Sequence, residues 1–353
     1  MWTLHSVTEE TRTILKWAAI GIGIILLIVF LYRGFLYLRN VFFPPPPIPP
    51  TVGFGKLPKV DLPANVVSGD FTYDLDTISG FLPAFHDREK VYKTVAKTTS
   101  LLDLDRAREK VKNMGFDLQT SGKVTERSLS PVQYTWTETD AALRNITMNT
   151  LTNTFSLVSP FLSDPQLSQS TVTFNENEAK GNAQKFFTNA NVFPSTIDPE
   201  LTKTTLLSVV NNTLIPTKKI ETTQLIRVDF YQKNLDELPF VYTYPPKTNI
   251  TALVDGGSFQ GQVMQANYFY QELSDISETY PIKTSAQAFE ELKQGKAYIA
   301  SYSGTNNTIK IKTVSLAYFL PNIESEYIYP VVVFTGSDDF VAYLPAITSE
   351  WFQ

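Results

Sequence analysis

The sequence predicts an α+β protein: a single N-terminal transmembrane helix, then small units of one helix plus an antiparallel meander, packed in series. Two observations lead to this prediction. Residues 14–38 of the 353-residue chain are almost wholly apolar. The rest of the chain alternates short amphipathic helical patterns with runs of alternating or β-branched residues,. We therefore expect a globular domain attached to a membrane.

The apolar segment, Ile14 to Leu38, is long enough to cross a bilayer. A spanning helix needs roughly 20 mostly apolar residues, and no charged side chain occurs from Trp17 to Tyr32. Aromatic residues lie at both ends, as they do at membrane interfaces. Bulky residues follow the segment, where a signal peptidase would need small ones,. The pattern favours an uncleaved anchor in the lipid bilayer, preceded by a short polar tail, 1–13.

A proline-rich segment, 39–67, is predicted to be a stalk and linker. Its run PPPPIPP favours an extended polyproline II spacer,. Lys and Arg occur on both sides of the apolar segment, so they do not favour a cytoplasmic N-terminus,. The short tail, the stalk and a remainder rich in Thr, Asn and Tyr favour a plasma-membrane protein whose large domain lies outside the cytoplasm. A cytoplasmic stalk would instead offer a docking site for an SH3- or WW-type domain.

Composition excludes several classes of function. The net charge is −5 and no basic block occurs, so nucleic acid is not an expected partner,. The absence of Cys excludes disulfides, thiolate metal sites and thiol nucleophiles,. A cysteine-free domain suits a bacterial surface better than a small eukaryotic secreted module. No cofactor is expected.

Three α+β units are predicted after the linker, at 68–165, 166–275 and 276–353. Helical spacing of apolar residues predicts their helices at Asp105–Met114, at Asn177–Thr188 and from Thr284 to Gly295,. The last two begin with the spacing of a capping box, and Gly115 and Gly295 are placed to end the first and third helices,. A further helix is predicted before these, at 87–97.

The strands are predicted from alternation and from turn residues. Gln224–Tyr231 alternates clearly, and Phe240–Tyr244 is its expected hairpin partner. The other predicted strands are 123–129, 132–137, 144–148, 154–158, 262–271, 297–302, 309–320, 327–334 and 340–344.

The third unit resembles the extracytoplasmic domains of the YycH/YycI type and the wider PepSY-like group. The similarity lies in KTSAQAFEELKQGKAYIA, IKIKTVSLAYF, YIYPVVVFTG and FVAYLPAI, within 281–347. LRNITMNTLTNTFSLV, within 104–158, looks like the strand–turn–strand of that group, with 150–154 in place of its Asp-x-x-Thr-Gly turn. The resemblance implies one N-terminal anchor and an outward-facing regulator of kinases or peptidases. It implies no catalytic residues.

Two places offer residues that chemistry could use. His86 precedes Asp87, as a general base and its orienting acid would,. A capping Asp87 beside an exposed imidazole explains the pair more simply. Asp338 and Asp339 could supply metal ligands, but a solvated turn is favoured because no further oxygen ligand follows at calcium-loop spacing. We therefore predict no catalytic residue and no metal site.

Aromatic residues in adjacent predicted strands are the best candidate for an interaction face. Half of the side chains of a strand point away from the core, so some of these could line a groove for a peptide, a glycan or a protein. Packing in the core is the alternative. The residues are Tyr268, Tyr270, Tyr298, Tyr302, Tyr318 and Tyr327.

These observations favour a membrane-anchored extracytoplasmic protein that binds a protein or peptide of the cell envelope and has a regulatory role. A structural subunit of an envelope complex is one alternative. A cell-surface hydrolase that uses two carboxylates is the other.

Overall fold

The structure is a computed structural model. It describes residues 4–42, 49–119, 122–139, 143–163, 175–256 and 262–353, with side chains of the first range described from 15 to 39. The chain forms two compact units, Met1–Pro49 and Pro50–Gln353. The described helices are α1 (Leu4–Phe42), α2 (Asp103–Asn113), α3 (Glu176–Asn189) and α4 (Ser285–Lys293).

Helix α1 makes up the first unit. Its segment Leu15–Arg39 spans 25 residues with a mean hydropathy of 2.3, and its most apolar window buries nothing within the chain. Length and composition make it able to cross a membrane, although a signal sequence has the same character. The predicted anchor at 14–38 thus falls on one continuous helix.

The second unit contains two β-sheets. In chain order the described strands are β1 (Thr72–Leu75), β2 (Arg88–Thr94), β3 (Val124–Ser130), β4 (Gln133–Glu138), β5 (Asn145–Asn149), β6 (Phe155–Val158), β7 (Lys203–Val210), β8 (Thr213–Pro216), β9 (Leu225–Asp229), β10 (Phe240–Tyr242), β11 (Ile250–Asp255), β12 (Val263–Tyr268), β13 (Leu273–Pro281), β14 (Tyr298–Ser301), β15 (Thr308–Leu320), β16 (Tyr327–Gly336) and β17 (Val341–Pro345).

The first sheet is built around the long strands β15 and β16. Its main path is β1-β15-β16-β17-β14. Strand β10 pairs with β15 in parallel, β2 pairs with β16, and β13 pairs with β2. The centre of this sheet is buried on both faces: Val332 and Phe334 belong to one apolar cluster, and Val331 and Val333 to another.

The second sheet has the order β3-β4-β5-β6-β12-β11-β9-β7-β8 and is antiparallel throughout. One face packs against α2 and α3. Ala107 and Val111 from α2 and Ala183 and Phe187 from α3 share its core with the inward residues of the strands.

The α+β class is confirmed, and so are the three helices predicted at 105–114, 177–188 and 284–295. The side chain of Asn175 accepts from the backbone of Glu178, whose own side chain accepts from the backbone of Asn175. Thr284 and Gln287 form the second capping box. Gly115 has a left-handed φ of +104°. This turn lets the backbone N–H of the residue after it reach back to Val111, at 2.9 Å,.

Two predicted local structures are wrong because distant strands supply their backbone partners. The helix expected at 87–97 is mostly strand β2, which pairs with β13. The segment 240–244 is not the hairpin partner of β9. It forms β10, whose residue Phe240 lies opposite Tyr318 of β15. Pairing across a long stretch of chain overrides a local helical pattern.

The prediction that three α+β units pack in series is also wrong. The first sheet takes strands from all three predicted segments, and the second sheet takes strands from the first two.

The predicted linker is corrected as well, since its part from Val52 onward packs on the domain. Leu57 is fully buried, and its backbone bonds to Trp351 and Gln353 at 2.8 and 2.9 Å. The predicted stalk residues 43–48 lie outside the described residues.

Candidate functional site: a groove lined by amides and hydroxyls

A groove of about 510 Å³ lies over the outer face of the second sheet. This is within the range of ligand-binding pockets. Most of its lining side chains are neutral amides and hydroxyls, together with a few aromatic rings. We call it the amide groove and define it by four floor residues and two rings: Thr147, Ser156, Asn267, Thr251, Tyr244 and Phe269.

The floor follows from the register of the second sheet. Residues that lie directly opposite one another form a straight line across eight strands, from β3 to β7, and every one of them is polar. Charges occur only at the two ends of this line. We call it the polar row: Arg127, Thr135, Thr147, Ser156, Asn267, Thr251, Asp229 and Lys203.

An apolar line runs beside the polar row, one residue along each strand. Successive side chains of a strand point to opposite faces, so this neighbouring line faces the helices. All of its members are at most 1% exposed. It consists of Trp136, Ile146, Leu157, Ala266, Ala252 and Val228. A slip of one residue would bury the polar row, so the core specifies where the polar row lies.

Hydrogen bonds hold three of the four floor side chains, Thr147, Ser156 and Asn267, in place. The Thr147 hydroxyl donates to Thr135 Oγ1 at 3.2 Å, and the Thr135 hydroxyl donates to Asn145 Oδ1 at 3.0 Å. Ser156 donates to Asn267 Oδ1 at 3.0 Å, which directs the amide nitrogen of Asn267 away from Ser156. Within the described ranges, this nitrogen and the hydroxyl of Thr251 have no hydrogen-bond partner. The amide of the exposed Asn267 is available to a ligand, whereas Thr251 lines the groove with only 8% of its surface exposed.

The wall of the groove is the segment that links β10 to β11. Its Tyr244 ring is 47% exposed. The buried Thr243 fixes the base of this wall: its carbonyl accepts from the Tyr298 hydroxyl at 2.9 Å, and its own hydroxyl accepts from the Asn322 backbone at 3.2 Å. The Asn249 amide donates to the Pro321 carbonyl at 2.8 Å. The wall is therefore tied to the first sheet, whereas the floor belongs to the second.

A second cleft, of about 350 Å³, adjoins the amide groove at Thr154 and Phe269. Its rim carries two ion pairs, Lys93–Glu326 at 3.4 Å and Lys97–Glu272 at 3.3 Å. The side chains of both pairs are exposed, so solvent screens them and each pair contributes little to stability,. The charged cleft and the neutral groove thus meet at one half-buried ring.

The predicted tyrosine face does not exist as one surface. Tyr268, Tyr298 and Tyr318 are buried in the core, because each occupies an inward position of its strand. Burial raises the pKa of Tyr298 to about 12. The other three are half-buried and lie apart from one another: Tyr270 borders the second cleft, Tyr302 donates to the Asn306 carbonyl at 2.6 Å, and Tyr327 packs on the ring of Phe54. Of the six, Tyr268 alone lines the amide groove, along its buried side.

The sequence reasoning missed the residues of the groove floor, although a signal was present. Strand β5 alternates Asn or Thr with an apolar residue, and Ser156, Thr251 and Asn267 each lie between apolar or aromatic neighbours in β6, β11 and β12. Polar residues at period 2 indicate an open sheet face. Tyr244 carried no such signal, because its place in the wall depends on the chain crossing from one sheet to the other.

The other residues considered for chemistry do not assemble a site. His86 is exposed in front of β2, and the carboxylate of Asp87 is bound by Arg88 at 2.9 and 2.8 Å rather than by the imidazole. This hydrogen bonding lowers the pKa of Asp87. Asp338 and Asp339 lie in the turn between β16 and β17 with left-handed φ angles. No group of three or more His, Asp or Glu within the described ranges is placed to hold a metal ion.

No family model matches the chain, and no curated protein matches it. Among solved structures, the chain is similar to the crystal structure of an uncharacterized protein from Eubacterium rectale ATCC 33656, determined at 1.45 Å resolution. The identity is 14% and the TM-score is 0.41, over 80% of this chain and 90% of the other.

Proposed function

We propose that this chain is a membrane-anchored, extracytoplasmic binding protein with a regulatory role, and that the amide groove is its ligand site. One observation supports this most directly. The neutral side chains of Thr147, Ser156 and Asn267 are half-buried or exposed along the groove, where the buried Thr251 adds a fourth, while the apolar residue beside each of them is fully buried. Pockets that bind ligands combine apolar walls with a few well-placed polar groups.

The composition of the groove favours binding over hydrolysis. Glycoside hydrolysis uses two carboxyl groups on either side of the bond that is cleaved. None of the residues that line the amide groove is Asp or Glu. Lys247 is the one charged residue among them, and it is exposed at the rim. A hydrolase that uses two carboxylates therefore has no support at this site.

Site-specific photocrosslinking in intact cells tests the proposed ligand site. A photoreactive amino acid is placed at Lys247 on the rim of the groove and, as a control, at the exposed Glu290 of helix α4. We expect a discrete adduct from position 247 that weakens when Tyr244→Ala is added, and none from position 290. Equal adducts from both positions, or none from 247, would contradict the proposal.

The outward orientation needs its own test. Protease added to intact cells that express the full chain should digest the Pro50–Gln353 unit without lysis. A unit that stays protected until lysis would lie in the cytoplasm. That result would remove the support that the PepSY/YycI-like resemblance gives to a regulator facing outward, and it would leave the predicted stalk as a cytoplasmic docking site.

A further inference from the structure

The identity of the strands in the groove floor limits the kind of ligand that fits. Thr147, Ser156, Asn267 and Thr251 lie on β5, β6, β12 and β11, and each of these strands pairs with a neighbour on both sides. Their backbone groups are already used in the sheet. A peptide that binds by strand addition needs a free edge, so a ligand on this floor is recognised by side chains alone.

The charge of the groove limits the ligand further. The four floor residues are neutral, and the charged members of the polar row, such as Arg127 and Asp229, lie beyond them at its ends. Phosphate and carboxylate ligands are typically held by bidentate Arg or by clusters of basic residues, whereas this lining holds a single lysine at its rim. The groove therefore complements a ligand without net charge.

The hydrogen-bonding groups of the floor match hydroxyl groups. A sugar hydroxyl both donates and accepts, as Ser and Thr hydroxyls do, and an amide offers a donor and an acceptor in one plane. The fixed amide of the exposed Asn267 presents a free group of this kind, and the largely buried Thr251 adds a hydroxyl to the lining. Four adjacent strands at about 4.8 Å spacing give a floor roughly 14 Å long, which suits a short chain of sugar rings.

Two aromatic rings complete the fit. The exposed Tyr244 stands on the wall, and the half-buried Phe269 closes the end where the second cleft begins. An aromatic side chain offers an apolar face, and tyrosine adds a polar tip. The C–H face of a pyranose ring packs on such a surface while its hydroxyls bond to the floor.

We propose that the amide groove binds a neutral oligosaccharide, with the sugar chain running across β5, β6, β12 and β11. This inference rests on the proposed ligand site and names the class of ligand that the site takes. The amide nitrogen of Asn267 donates to a sugar hydroxyl, and Tyr244 packs against a ring face.

Titration of the full-length chain with cellohexaose, N-acetylchitohexaose and maltohexaose tests the affinity. The protein is held in lipid nanodiscs, because sugar-headed detergents would compete. We expect saturable binding of at least one of them. Asn267→Asp replaces the donor with an acceptor in the same shape, and Tyr244→Ala removes the ring; each should raise the Kd at least tenfold. Asn306→Asp and Phe81→Ala, exposed and outside the groove, should leave the Kd unchanged. A Kd that is the same in all four variants as in the native chain would overturn the assignment.

The adduct formed at position 247 in cells separates the two proposals. Periodate oxidises vicinal diols, so a glycan adduct then reacts with a hydrazide label. Labelling that is lost with Tyr244→Ala supports an oligosaccharide ligand. If periodate produces no label and protease digests the ligand part of the adduct, the ligand is a protein or peptide. That result overturns the oligosaccharide and still supports the groove as a ligand site. Absence of any adduct overturns both.

Discussion

The two sheets differ in what covers them. At the centre of the first sheet, β16 reads YIYPVVVFTG, and all of its residues from Ile328 to Phe334 are buried, so both faces are covered. In the second sheet, β5 reads NITMN, and only Ile146 and Met148 are fully buried. A strand covered on both faces is continuously apolar, and a strand with one open face alternates. The centre of the first sheet is therefore covered on both faces, whereas the second sheet is accessible on one face at β5 but is buried throughout at β11, where Leu253 joins a second apolar cluster.

The largest effect is expected where both faces of the first sheet are covered. Phe334→Ala removes a fully buried ring that packs near Phe289. We expect the free energy of unfolding to fall by about 3–5 kcal/mol, from lost burial and the cavity left behind. Chemical denaturation followed by tryptophan fluorescence measures it. Phe81→Ala, at a ring 77% exposed, is the matched control and should change the value by less than about 0.5 kcal/mol,. Similar losses of unfolding free energy for Phe334→Ala and Phe81→Ala would contradict the prediction that the buried ring matters more.

A buried ion pair gives the next effect, on the helix side of the second sheet. Arg144 donates through Nε to Glu138 Oε2 at 2.9 Å and through its terminal nitrogen to Glu138 Oε1, and both side chains are over 90% buried. Glu138→Gln leaves the guanidinium without its counter-charge, so we expect a loss of about 3 kcal/mol. The guanidinium also lies 5.0 Å from the centre of the Phe116 ring. This contact keeps the expected loss at the lower end of the range for breaking a buried ion pair.

The double variant Glu138→Gln/Arg144→Met sharpens this prediction, because it removes both charges. It should regain a large part of the lost free energy when measured in the same denaturation experiment. The exposed pair Lys293–Glu290, at 2.9 Å, is the control, and Glu290→Gln should cost less than about 1 kcal/mol,. A double variant as unstable as Glu138→Gln alone would show that the charge was not the cause.

A smaller, pH-dependent effect is expected at the outer end of the same face. Arg108 bonds to both oxygens of Glu126 at 2.9 and 2.7 Å and thereby lowers the pKa of Glu126. A lowered pKa adds stability that is complete above the unfolded value of about 4.3 and is lost as the pH falls through the folded value. The Arg108 side chain is 41% exposed, so solvent screening limits the contribution to about 1 kcal/mol or less,.

Comparison with Glu126→Gln isolates this contribution. The free-energy difference between the native chain and the variant should be constant from pH 8 to 5 and should shrink below about pH 4.3. Trp136 donates from its ring to Glu126 Oε2 at 2.8 Å, so its fluorescence reports on this site. If the difference in unfolding free energy does not change with pH, the ionised Glu126 carboxylate receives no net stabilisation from Arg108.

The smallest effect on stability is expected in the polar row. Thr147→Ala removes a half-buried hydroxyl that bonds only to the half-buried side chains of Thr135 and Asn145, so we expect a change of less than about 0.5 kcal/mol,. Its counterpart is Thr313→Ala on the exposed part of β15, where Thr313 bonds to Thr335. Both should preserve stability, but only Thr147→Ala should weaken the adduct at position 247. A large loss of stability from Thr147→Ala would show that the polar row stabilises the fold and would contradict this prediction.

Local features of the fold were predictable because they depend on residues close in sequence. The capping boxes of α3 and α4 and the left-handed Gly115 each need only a few neighbouring residues,. Strand β2 and strand β10 were misjudged for the opposite reason. Their hydrogen-bond partners, β13 and β15, are far along the chain, and a strand does not encode its partner in its own residues,.

The candidate site follows the same division. The alternation of β5 and the apolar or aromatic neighbours of Ser156, Thr251 and Asn267 are visible in the sequence, so the sequence determines that these polar side chains and their neighbours lie on opposite faces,. The register between strands decides that Thr147, Ser156, Asn267 and Thr251 form one line, and the crossing of the chain between sheets decides that Tyr244 stands beside them.

The sequence by itself determined the apolar helix of spanning length, the capped helices, the α+β class and the two-faced character of the strands. Each of these depends on side-chain chemistry and spacing along a short stretch of chain. Tertiary structure alone decided which strands pair, which tyrosines are buried, and where the groove lies. Backbone hydrogen bonds are the same for every residue, so only the burial of side chains across the whole fold selects their partners.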